Sequence, residues 1–398
     1  MQIPGSAYEI LDKLNSHGQQ AVVVGGCVRD SLMGKVPKDW DIATSANPDE
    51  IKKIFRYTID TGIKHGTVTV LSKGFPHEVT TFRIDGEYLD GRRPKDVTFT
   101  TDLEADLSRR DFTMNAIAYS PNFGLVDPFG GASDIEQKII RCVGYAPDRF
   151  TEDALRMMRA IRFSAQLSFE IDAETFSAIP PLADRIKMVS IERVREELTK
   201  ILVSENPNAL ALLMEAGLWQ DDWPKIDLAK DKRGKMGKGG SSCLIAWLIK
   251  CPKEATMLYT LLAQNNVEDF LRRLKFDNKS IKEAANYSRW LWKDIPQKSY
   301  KIKIILNEIG AGHFDKLLTL REITQPHTNW EALRKCFECI LQSGECYTVK
   351  DLAINGRDLI AVGVPAGEAM GNLLAKMLDA VMQDPSLNTK KNLLNFVD

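Results

Sequence analysis

The chain lacks any hydrophobic run long enough to cross a membrane. Its longest uninterrupted apolar run, Cys243–Ile249, is far shorter than the roughly 20 residues that a bilayer-spanning helix needs. No basic segment followed by an apolar one opens the chain, so we expect a cytoplasmic protein with no membrane partner. A net charge of −1 excludes a uniformly basic surface, although nucleic-acid binding needs only a local basic track.

Histidines and paired cysteines are scarce as well. The five histidines include no His-Asp dipeptide and no HExxH motif, which argues against a histidine-based metallohydrolase. The seven cysteines are an odd number in a long chain, so we expect free thiols. Cys336 and Cys339 form a CxxC pair in an apolar, helix-like stretch, and no fourth ligand follows at the spacing of a zinc finger. Core packing is the favoured interpretation of this pair.

The predicted secondary structure changes clearly after the first third of the sequence. A length of 398 residues indicates roughly two to four domains, and 44% hydrophobic with 27% charged residues is typical of a globular protein. The first 145 residues mix strand and helix patterns, whereas helical periodicity runs from Thr151 nearly to the end. This order predicts an α+β protein in which a small domain with a mixed sheet precedes an all-helical remainder.

Local patterns predict the individual elements. The predicted strands are Gln20–Val24, Asp39–Ala43, Gly66–Ser72, Glu78–Arg83 and, as a candidate, Phe112–Tyr119. The predicted helices cover 151–167, 190–203 and 206–216. Thr151 is the expected N-cap of the first helix, because Glu152 and Asp153 follow in the turn where the helix dipole favours acids. Segments 84–96 and 230–240 are charged and contain glycine, which is typical of loops.

The sharpest local signal is the run VVVGGCVRDSLMGKVPKDWDIAT. A buried strand ends in Gly25-Gly26, where the backbone can approach a ligand closely. Asp39 and Asp41 follow at alternate positions, and on a strand such side chains point to the same face. Two converging carboxylates beside a phosphate cradle are typical of a magnesium (Mg²⁺) site for phosphoryl or nucleotidyl transfer. A lone DxD is more commonly a solvated turn, but here it accompanies the glycine element.

Two further elements extend this hypothesis. Glu78, on a following strand, is the candidate for a third carboxylate, and a plain surface position is the alternative. In the run SRRDFTMNA, Arg109 and Arg110 precede a predicted strand and could clamp a triphosphate. Taken alone, these two arginines would more readily be interpreted as surface charges.

A third cluster combines one acid with three arginines. Asp153, Arg156, Arg159 and Arg162 recur every three residues, which on a helix produces a slowly winding stripe. The stripe could be a salt bridge with solvated arginines, or it could bind a polyphosphate and a base. A carboxylate beside a guanidinium complements cytosine and adenine, whose amino donor lies next to ring acceptors, and it rejects uracil and guanine. An Asp-x-x-Arg pair could therefore select C and A without a nucleic-acid template.

These motifs occur in the order of a known family. GGCVRD with DWD, SRRDFTMNAIAY, RFTEDALRMMRAIRFSA and ERVREEL resemble the motif set of the class II tRNA nucleotidyltransferases, which are the bacterial CCA-adding enzymes and their poly(A) polymerase relatives. The resemblance implies that Asp39 and Asp41 hold the metal ions. It also implies that Gly26, Arg29 and Arg110 contact the incoming nucleotide, that Asp153 and Arg156 read its base, and that Arg159 and Arg162 assist in binding.

The resemblance further implies an architecture and a reaction. We expect a polymerase-β-like head (1–145), a helical neck for base recognition (146–205), a helical body (206–300) and a helical, tRNA-binding tail (301–398). The expected reaction is the untemplated addition of C, C and A to the 3′ end of tRNA from CTP and ATP, with release of pyrophosphate by a two-magnesium mechanism. Whether two copies of the chain form a homodimer is left open.

Other functions remain as alternatives. A bacterial poly(A) polymerase shares the metal motif, but such enzymes carry a GRRF-like element where this chain has YTIDTGIKHGTV (57–68), which resembles the CCA-adding branch. Specialised CC-adding or A-adding enzymes are also candidates, although the loop GEYLDGRRP resembles that of full CCA-adding enzymes and argues against CC-only addition. Intact Asp39 and Asp41 argue against a tRNA-binding protein with an inactive head.

Overall fold

The computed structural model of the chain describes residues 1–86, 97–225 and 243–397. The chain divides into two compact units, residues 1–223 and 224–398. The expected loop at 230–240 lies outside the described residues, as do residues 87–96 of the expected loop at 84–96.

A mixed seven-stranded sheet organises the first unit. The strands of this unit are β1 (Ala21–Val24), β2 (Ile42–Thr44), β3 (Thr58–Gly62), β4 (Thr67–Ser72), β5 (Phe75–Thr81), β6 (Arg83–Asp85), β7 (Val97–Phe99), β8 (Ala118–Ser120), β9 (Gly124–Val126), β10 (Ile139–Ile140) and β11 (Glu170–Ile171). The order in the large sheet is β3-β4-β5-β2-β1-β8-β9, while β6 pairs with β7 and β10 with β11.

The centre of the sheet is buried and its register sets the position of polar residues at its ends. All four residues of β1, the sequence AVVV, are buried. β1 runs antiparallel to both β2 and β8, whereas β2 and β5 are parallel, with Ile42 opposite Val79. The residues immediately before Ile42 and Val79 therefore lie next to each other, at the start of β2 and in the middle of β5.

Short helices cover the sheet and continue beyond it. The α-helices of the first unit are α1 (Gly5–Ser16), α2 (Gly26–Leu32), α3 (Pro48–Ile54), α4 (Leu103–Ser108), α5 (Gly131–Gln137), α6 (Ala146–Glu152), α7 (Leu155–Leu167), α8 (Ala173–Ser177), α9 (Ile191–Leu202) and α10 (Ala209–Glu215). Leu103 and Leu107 of α4 pack with Val22, Val24 and Phe82 in one buried cluster. This apolar contact fixes α4, and with it the arginines that follow the helix.

The second unit consists of helices in its described part. They are α11 (Cys243–Lys250), α12 (Ala255–Ala263), α13 (Val267–Arg273), α14 (Asn278–Leu291), α15 (Ser299–Ile309), α16 (Ala311–Thr324), α17 (Glu331–Ser343), α18 (Gly356–Ala361), α19 (Glu368–Gln383) and α20 (Lys390–Leu394). Met377 and Val381 of α19 pack with Leu359 and Leu393 in a buried cluster. Among the described residues, no helix has the length and apolar content to cross a bilayer. The prediction of an α+β protein with an all-helical remainder is confirmed.

Two predicted strands differ from the structure. β2 begins at Ile42, so Asp39 and Asp41 precede the strand, although the Val24 N–H donates to the Asp41 carbonyl at 3.0 Å and extends the ladder by one bond. The candidate strand Phe112–Tyr119 is wrong over most of its length, because residues 113–115 form a 3₁₀ turn. A contact with a distant residue accompanies that turn: the Thr113 hydroxyl donates to Asp134, 21 positions further along the chain, at 2.6 Å.

The predicted helix start at Thr151 is also wrong. Thr151 lies inside α6, and α7 begins at Leu155 after a break at Asp153, whose φ of −138° and ψ of 102° are extended. The Asp153 carboxylate accepts a hydrogen bond from the Leu155 N–H at 3.0 Å. Asp153 therefore lies at the junction of two helices and not on the face of one, so the predicted four-residue stripe begins only at Arg156.

Candidate active site

A cleft of about 770 Å³ lies in the first unit, where the ends of several elements meet. Eight of its lining side chains are arginine or lysine and four are aspartate, so it is polar and predominantly cationic. The lining residues are Gly25, Gly26, Arg29, Asp39, Asp41, Arg109, Arg110, Asp111, Asn115, Asp153, Arg156, Arg159, Arg162, Phe163, Arg193 and Lys200. Nine of the ten site residues expected from the sequence lie in this one cleft, and Glu78 does not line it.

The acidic end of the cleft is formed where β2 and β5 begin to pair. Asp41 directly precedes Ile42, and Glu78 directly precedes Val79, so the parallel register places the two carboxylates on adjacent strands. Partial desolvation of the Asp41 carboxyl by the groups around it raises its pKa above the ordinary value, and the negative charges of Glu78 and Asp39 raise it further, while Arg110 lowers it. Glu78 is thus a neighbour of Asp41 although it stands outside the cleft.

This end of the cleft fits a divalent cation. Because Asp39 and Glu78 both disfavour a charged Asp41, a bound cation would relieve their mutual repulsion. Within the part of the chain that the structure describes, no three His, Cys, Asp or Glu side chains form a ready metal cage. Asp39 and Asp41 are carboxylates, the ligand type by which Mg²⁺ is commonly held together with substrate phosphates and water.

Gly25 shapes the floor of the cleft. Its backbone has a φ of +81° and a ψ of −130°, a conformation that side chains with a Cβ rarely adopt. A Cβ placed on Gly25 would lie 3.2 Å from Nη1 of Arg110, tighter than most such contacts. Glycine at this position therefore permits both the turn between β1 and α2 and the approach of Arg110.

A hydrogen-bonded chain joins arginines from opposite sides of the cleft. Nη1 of Arg29 donates to Oδ1 of Asn115 at 2.7 Å, and Nδ2 of Asn115 donates to Oδ1 of Asp111 at 3.0 Å. The other Asp111 oxygen accepts from Nε and Nη2 of Arg159 at 2.8 and 2.5 Å. This chain ties α2, the 3₁₀ turn and α7 together, so that Arg29 and Arg159 are held in fixed positions.

Asp111 stays ionised within this chain. Its burial alone would raise the pKa, but the charge of Arg159 and the hydrogen bonds from Asn115 and Arg159 outweigh burial and hold the pKa well below its usual range. Asp111 therefore acts as a permanent counter-ion for Arg159.

Arginine side chains form one wall of the cleft, which we call the arginine wall; Arg162 and Phe163 complete it. Nε of Arg162 donates to Glu197 at 2.6 Å, and its Nη1 donates to Gln166 at 2.9 Å. The Phe163 ring lies 3.6 Å from the guanidinium carbon of Arg162, and the guanidinium groups of Arg29 and Arg159 lie 5.2 and 5.4 Å from the same ring. One aromatic ring thus supports three cations through cation–π contacts.

Asp153 and Arg156 are already engaged by protein groups. Arg193 donates to both Asp153 oxygens, at 3.3 and 2.7 Å. Arg156 is buried, and its Nη1 donates to Glu152 at 2.6 Å while its Nη2 donates to the Arg109 carbonyl at 2.9 Å. Both side chains are therefore oriented before any ligand arrives, at the edge of the cleft that the arginines line.

Besides the nine expected residues, Gly25 and Arg109 of the discussed motifs line the cleft, as do five residues that the sequence analysis did not single out. Asp111 and Asn115 lie in the SRRDFTMNA run, and Arg193 lies in ERVREEL, so both motifs contained signals that could have identified them. Phe163 also lies in a quoted motif, RFTEDALRMMRAIRFSA, although it resembles any core aromatic, and Lys200 carries no local signal because it resembles any helical surface lysine.

The sheet and the cleft together define a class. A mixed sheet that places carboxylates at the start of β2, beside a glycine turn and an arginine-lined cleft, belongs to a nucleotidyltransferase with a polymerase-β-like head. Family sequence models agree with this assignment. Residues 21–141 match the Poly A polymerase head domain, residues 168–228 the probable RNA and SrmB-binding site of polymerase A, and residues 253–397 the putative tRNA nucleotidyltransferase domain 2.

Characterised relatives identify the family. The CCA-adding enzyme of Geobacillus kaustophilus (strain HTA426) is 38% identical over 397 residues, which cover 97% of this chain and 95% of the relative. That of Geobacillus sp. (strain WCH70) is 40% identical over 393 residues, with 97% and 95% covered. The chain therefore belongs to the CCA-adding enzymes, the class II tRNA nucleotidyltransferases, and the resemblance drawn from its motifs is confirmed.

Solved structures agree. The Bacillus stearothermophilus CCA-adding enzyme in complex with CTP superposes with a TM-score of 0.82 at 35% identity, covering 100% of this chain and 98% of that one. The Thermotoga maritima CCA-adding enzyme complexed with tRNA shares the fold at a TM-score of 0.64 and 19% identity, covering 98% and 93%.

Proposed function

We propose that this chain adds C, C and A to the 3′ end of tRNA, using CTP and ATP and no nucleic-acid template. The observation that carries the proposal is the single cleft that brings Asp39 and Asp41 together with the arginine wall. Membership of the CCA-adding family and the CTP complex of the relative that is 35% identical support the choice of substrates. A tRNA substrate also supports the expectation of a cytoplasmic protein.

The arginine wall is suited to bind the triphosphate of the nucleotide. Guanidinium groups bind phosphate oxygens through paired, charge-assisted hydrogen bonds. Arg29, Arg110 and Arg159 face the cleft from three different elements, so a triphosphate between them would be contacted from several sides. Such contacts orient the α-phosphate for attack by the terminal hydroxyl of the tRNA, and pyrophosphate then leaves.

The acidic end of the cleft is suited to Mg²⁺. Asp39 and Asp41 would hold the metal, and Glu78 would add negative charge beside Asp41. When bound, magnesium ions supply charge neutralisation for the phosphate oxygens and favour ionisation of the attacking hydroxyl. The contribution of the chain is to keep the carboxylates at one end of the cleft and the arginines at the other, so that the reacting groups meet between them.

Base selection would fall to Asp153 and Arg156. A carboxylate has about four lone-pair positions, so Asp153 can keep its bonds to Arg193 and still accept from the amino group of cytosine or adenine. A uracil or guanine carbonyl at the same place would face the carboxylate with lone pairs and be repelled. Because both side chains are held by protein contacts, the same pair can test CTP and ATP without a template.

The test is to follow nucleotide addition to defined tRNA ends. A tRNA that lacks CCA is incubated with CTP, ATP, both, UTP or GTP, and the product ends are sequenced. We expect two C residues with CTP alone, CCA with both nucleotides, and a single A on a tRNA that already ends in CC. Long A tails would instead identify a poly(A) polymerase, and addition that stops at CC would identify a CC-adding enzyme.

A matched pair of variants controls this test. Asp41→Asn removes a cleft carboxylate, whereas Asp49→Asn alters an exposed aspartate in the first turn of α3, outside the cleft. We expect incorporation to be lost in the first variant and retained in the second. Tight tRNA binding by a wild-type chain that incorporates no nucleotide would contradict the proposal and favour a binding protein.

A further inference from the structure

Asp106 is a fully buried carboxylate next to the cleft but outside its lining. It lies in α4, and its side chain is 1% exposed. Oδ1 of Asp106 accepts from Nε and Nη2 of Arg109 at 3.0 and 2.7 Å, and Oδ2 accepts from Nη2 of Arg110 at 3.1 Å. A single buried carboxylate thus binds two adjacent arginines that both line the cleft.

Arg110 depends on this contact. Among the described residues, the Arg110 guanidinium donates its side-chain hydrogen bond to Asp106. The Arg110 Nε has no hydrogen-bond partner there. The same guanidinium lies against Gly25, and it lines the cleft together with Gly25 and Asp41. Without Asp106, the hydrogen bond that holds the Arg110 guanidinium in place would be lost.

Asp106 also contacts the hairpin that borders residues 87–96. Its Oδ1 accepts from the backbone N–H of Arg83 at 3.3 Å, and Arg83 is the first residue of β6. Arg109 lies 3.9 Å from Asp85 of the same strand, and its carbonyl accepts from Arg156. One carboxylate therefore connects the base of the β6–β7 hairpin, the two cleft arginines and, through the Arg109 backbone, Arg156.

We propose that Asp106 is a positioning residue that aims Arg109 and Arg110 into the cleft and fastens them to the β6–β7 hairpin. This inference rests on the proposed function insofar as it assigns the two arginines to nucleotide binding. The physical basis is that a buried carboxylate with several charge-assisted hydrogen bonds has one favoured geometry. Asp106 touches no reacting atom and acts through the arginines. The charges of Arg110 and Arg109 overcome the effect of burial and hold the pKa of Asp106 below its ordinary value, so it remains ionised at neutral pH.

The kinetic test compares Asp106→Asn with wild type in the addition of C and A to tRNA. We expect KM for CTP and ATP to rise by about tenfold with a much smaller change in kcat, because arginines without their charged anchor bind the nucleotide less tightly. In an Arg109→Ala/Arg110→Ala background, Asp106→Asn should raise KM no further, since the groups through which it acts are gone. An equal effect in both backgrounds would overturn the proposal.

Two further measurements keep the test decisive. Asp172→Asn is the control, because Asp172 is a partly buried acid that pairs with Arg141 and is not among the residues that line the cleft; the KM of this variant should match wild type. Hydrogen exchange of the β6–β7 hairpin should accelerate in Asp106→Asn and not in Asp172→Asn. If the wild-type chain incorporates no nucleotide, the proposed function fails, and the exchange result alone decides the role of Asp106. Unchanged exchange in Asp106→Asn would overturn it.

Discussion

Arg193 holds Asp153 by both oxygens, with Nη2 to Oδ2 at 2.7 Å and Nη1 to Oδ1 at 3.3 Å. The two residues are 40 positions apart in the chain and join α9 to the junction between α6 and α7. A carboxylate held by a two-pronged donor cannot rotate freely, so its remaining lone pairs point in fixed directions. That fixed direction is what a group needs to distinguish an amino donor from a carbonyl.

Substitution of Asp153 or Arg156, the pair that we propose reads the base, should change nucleotide selection as well as rate. Asp153→Ala and Arg156→Ala each remove a charge-assisted hydrogen bond to the base, which should cost about 1.5–3 kcal/mol, or about one to two decades in kcat/KM. Asp153→Ala also removes the repulsion against carbonyls, so discrimination against UTP and GTP should relax. Steady-state incorporation of all four nucleotides measures both effects. A preference for C and A that survives both substitutions would exclude this pair as the protein template.

Loss of the cleft carboxylates should stop chemistry without weakening the fold. We expect Asp39→Ala and Asp41→Asn to lower turnover by several orders of magnitude, because Asp39 and Asp41 would no longer hold Mg²⁺. Neighbouring Glu78 and Asp39 disfavour a charged Asp41, so the thermal unfolding temperature of Asp41→Asn should equal or exceed that of wild type. Retained incorporation, or a clear loss of thermal stability, would contradict the metal assignment.

Gly25→Ala should impair both backbone geometry and nucleotide binding. A side chain at a φ of +81° costs about 1–3 kcal/mol, and the new Cβ would also press on Nη1 of Arg110 at 3.2 Å. Gly34→Ala is the matched control, because Gly34 has a φ of +71° but no atom within 4 Å of the added Cβ. Thermal unfolding should show a loss of stability in both variants, and only Gly25→Ala should raise KM for CTP. An equal KM for CTP in the two variants would show that Arg110 does not take part in nucleotide binding.

The Asp111–Arg159 pair should stabilise the protein in a pH-dependent way. The pKa of Asp111 is held well below its ordinary value in the folded chain, so its stabilisation is fully present above the unfolded pKa of about 3.9 and is lost as pH falls toward the folded pKa. Asp111→Asn should therefore lower the free energy of unfolding by about 1.5–3 kcal/mol at pH 7. The difference from wild type should persist to pH 5 and narrow only below about pH 4. Urea unfolding at several pH values measures this difference in the free energy of unfolding. If the difference disappears near pH 6, a group other than Asp111 provides the stabilisation.

Part of the site could be predicted because its signals are local. Gly25-Gly26 and the Asp39, Asp41 pair fall within one short run, where strand alternation and glycine freedom are properties of neighbouring residues. Arg110 was assigned only through the resemblance of SRRDFTMNA to the family motif, because the two arginines alone would be interpreted as surface charges. The change to helical periodicity after Thr151 likewise depends on residue spacing alone, and it correctly predicted the helical character of the remainder.

Local sequence patterns gave wrong secondary-structure predictions where contacts with distant residues determine the backbone conformation. The candidate strand at Phe112–Tyr119 has apolar and branched residues, yet Thr113 and Asn115 satisfy their polar groups with Asp134 and Asp111, which favours a 3₁₀ turn. The acidic turn after Thr151 resembled a helix start, but Asp153 bonds to Arg193 and breaks the helix in two.

The residue types of this site can be identified in the amino-acid sequence: paired carboxylates, a glycine turn and clustered arginines, together with the order of sheet and helices. Which of these groups meet depends on how the chain folds. The parallel register of β2 and β5 brings Glu78 beside Asp41, Asp111 pairs with Arg159 across 48 positions, and Asp106 binds Arg109 and Arg110 while also reaching the backbone of Arg83. The physical reason is that ion pairs and strand register form between residues distant in sequence, and their energies depend on burial and geometry that no local pattern contains.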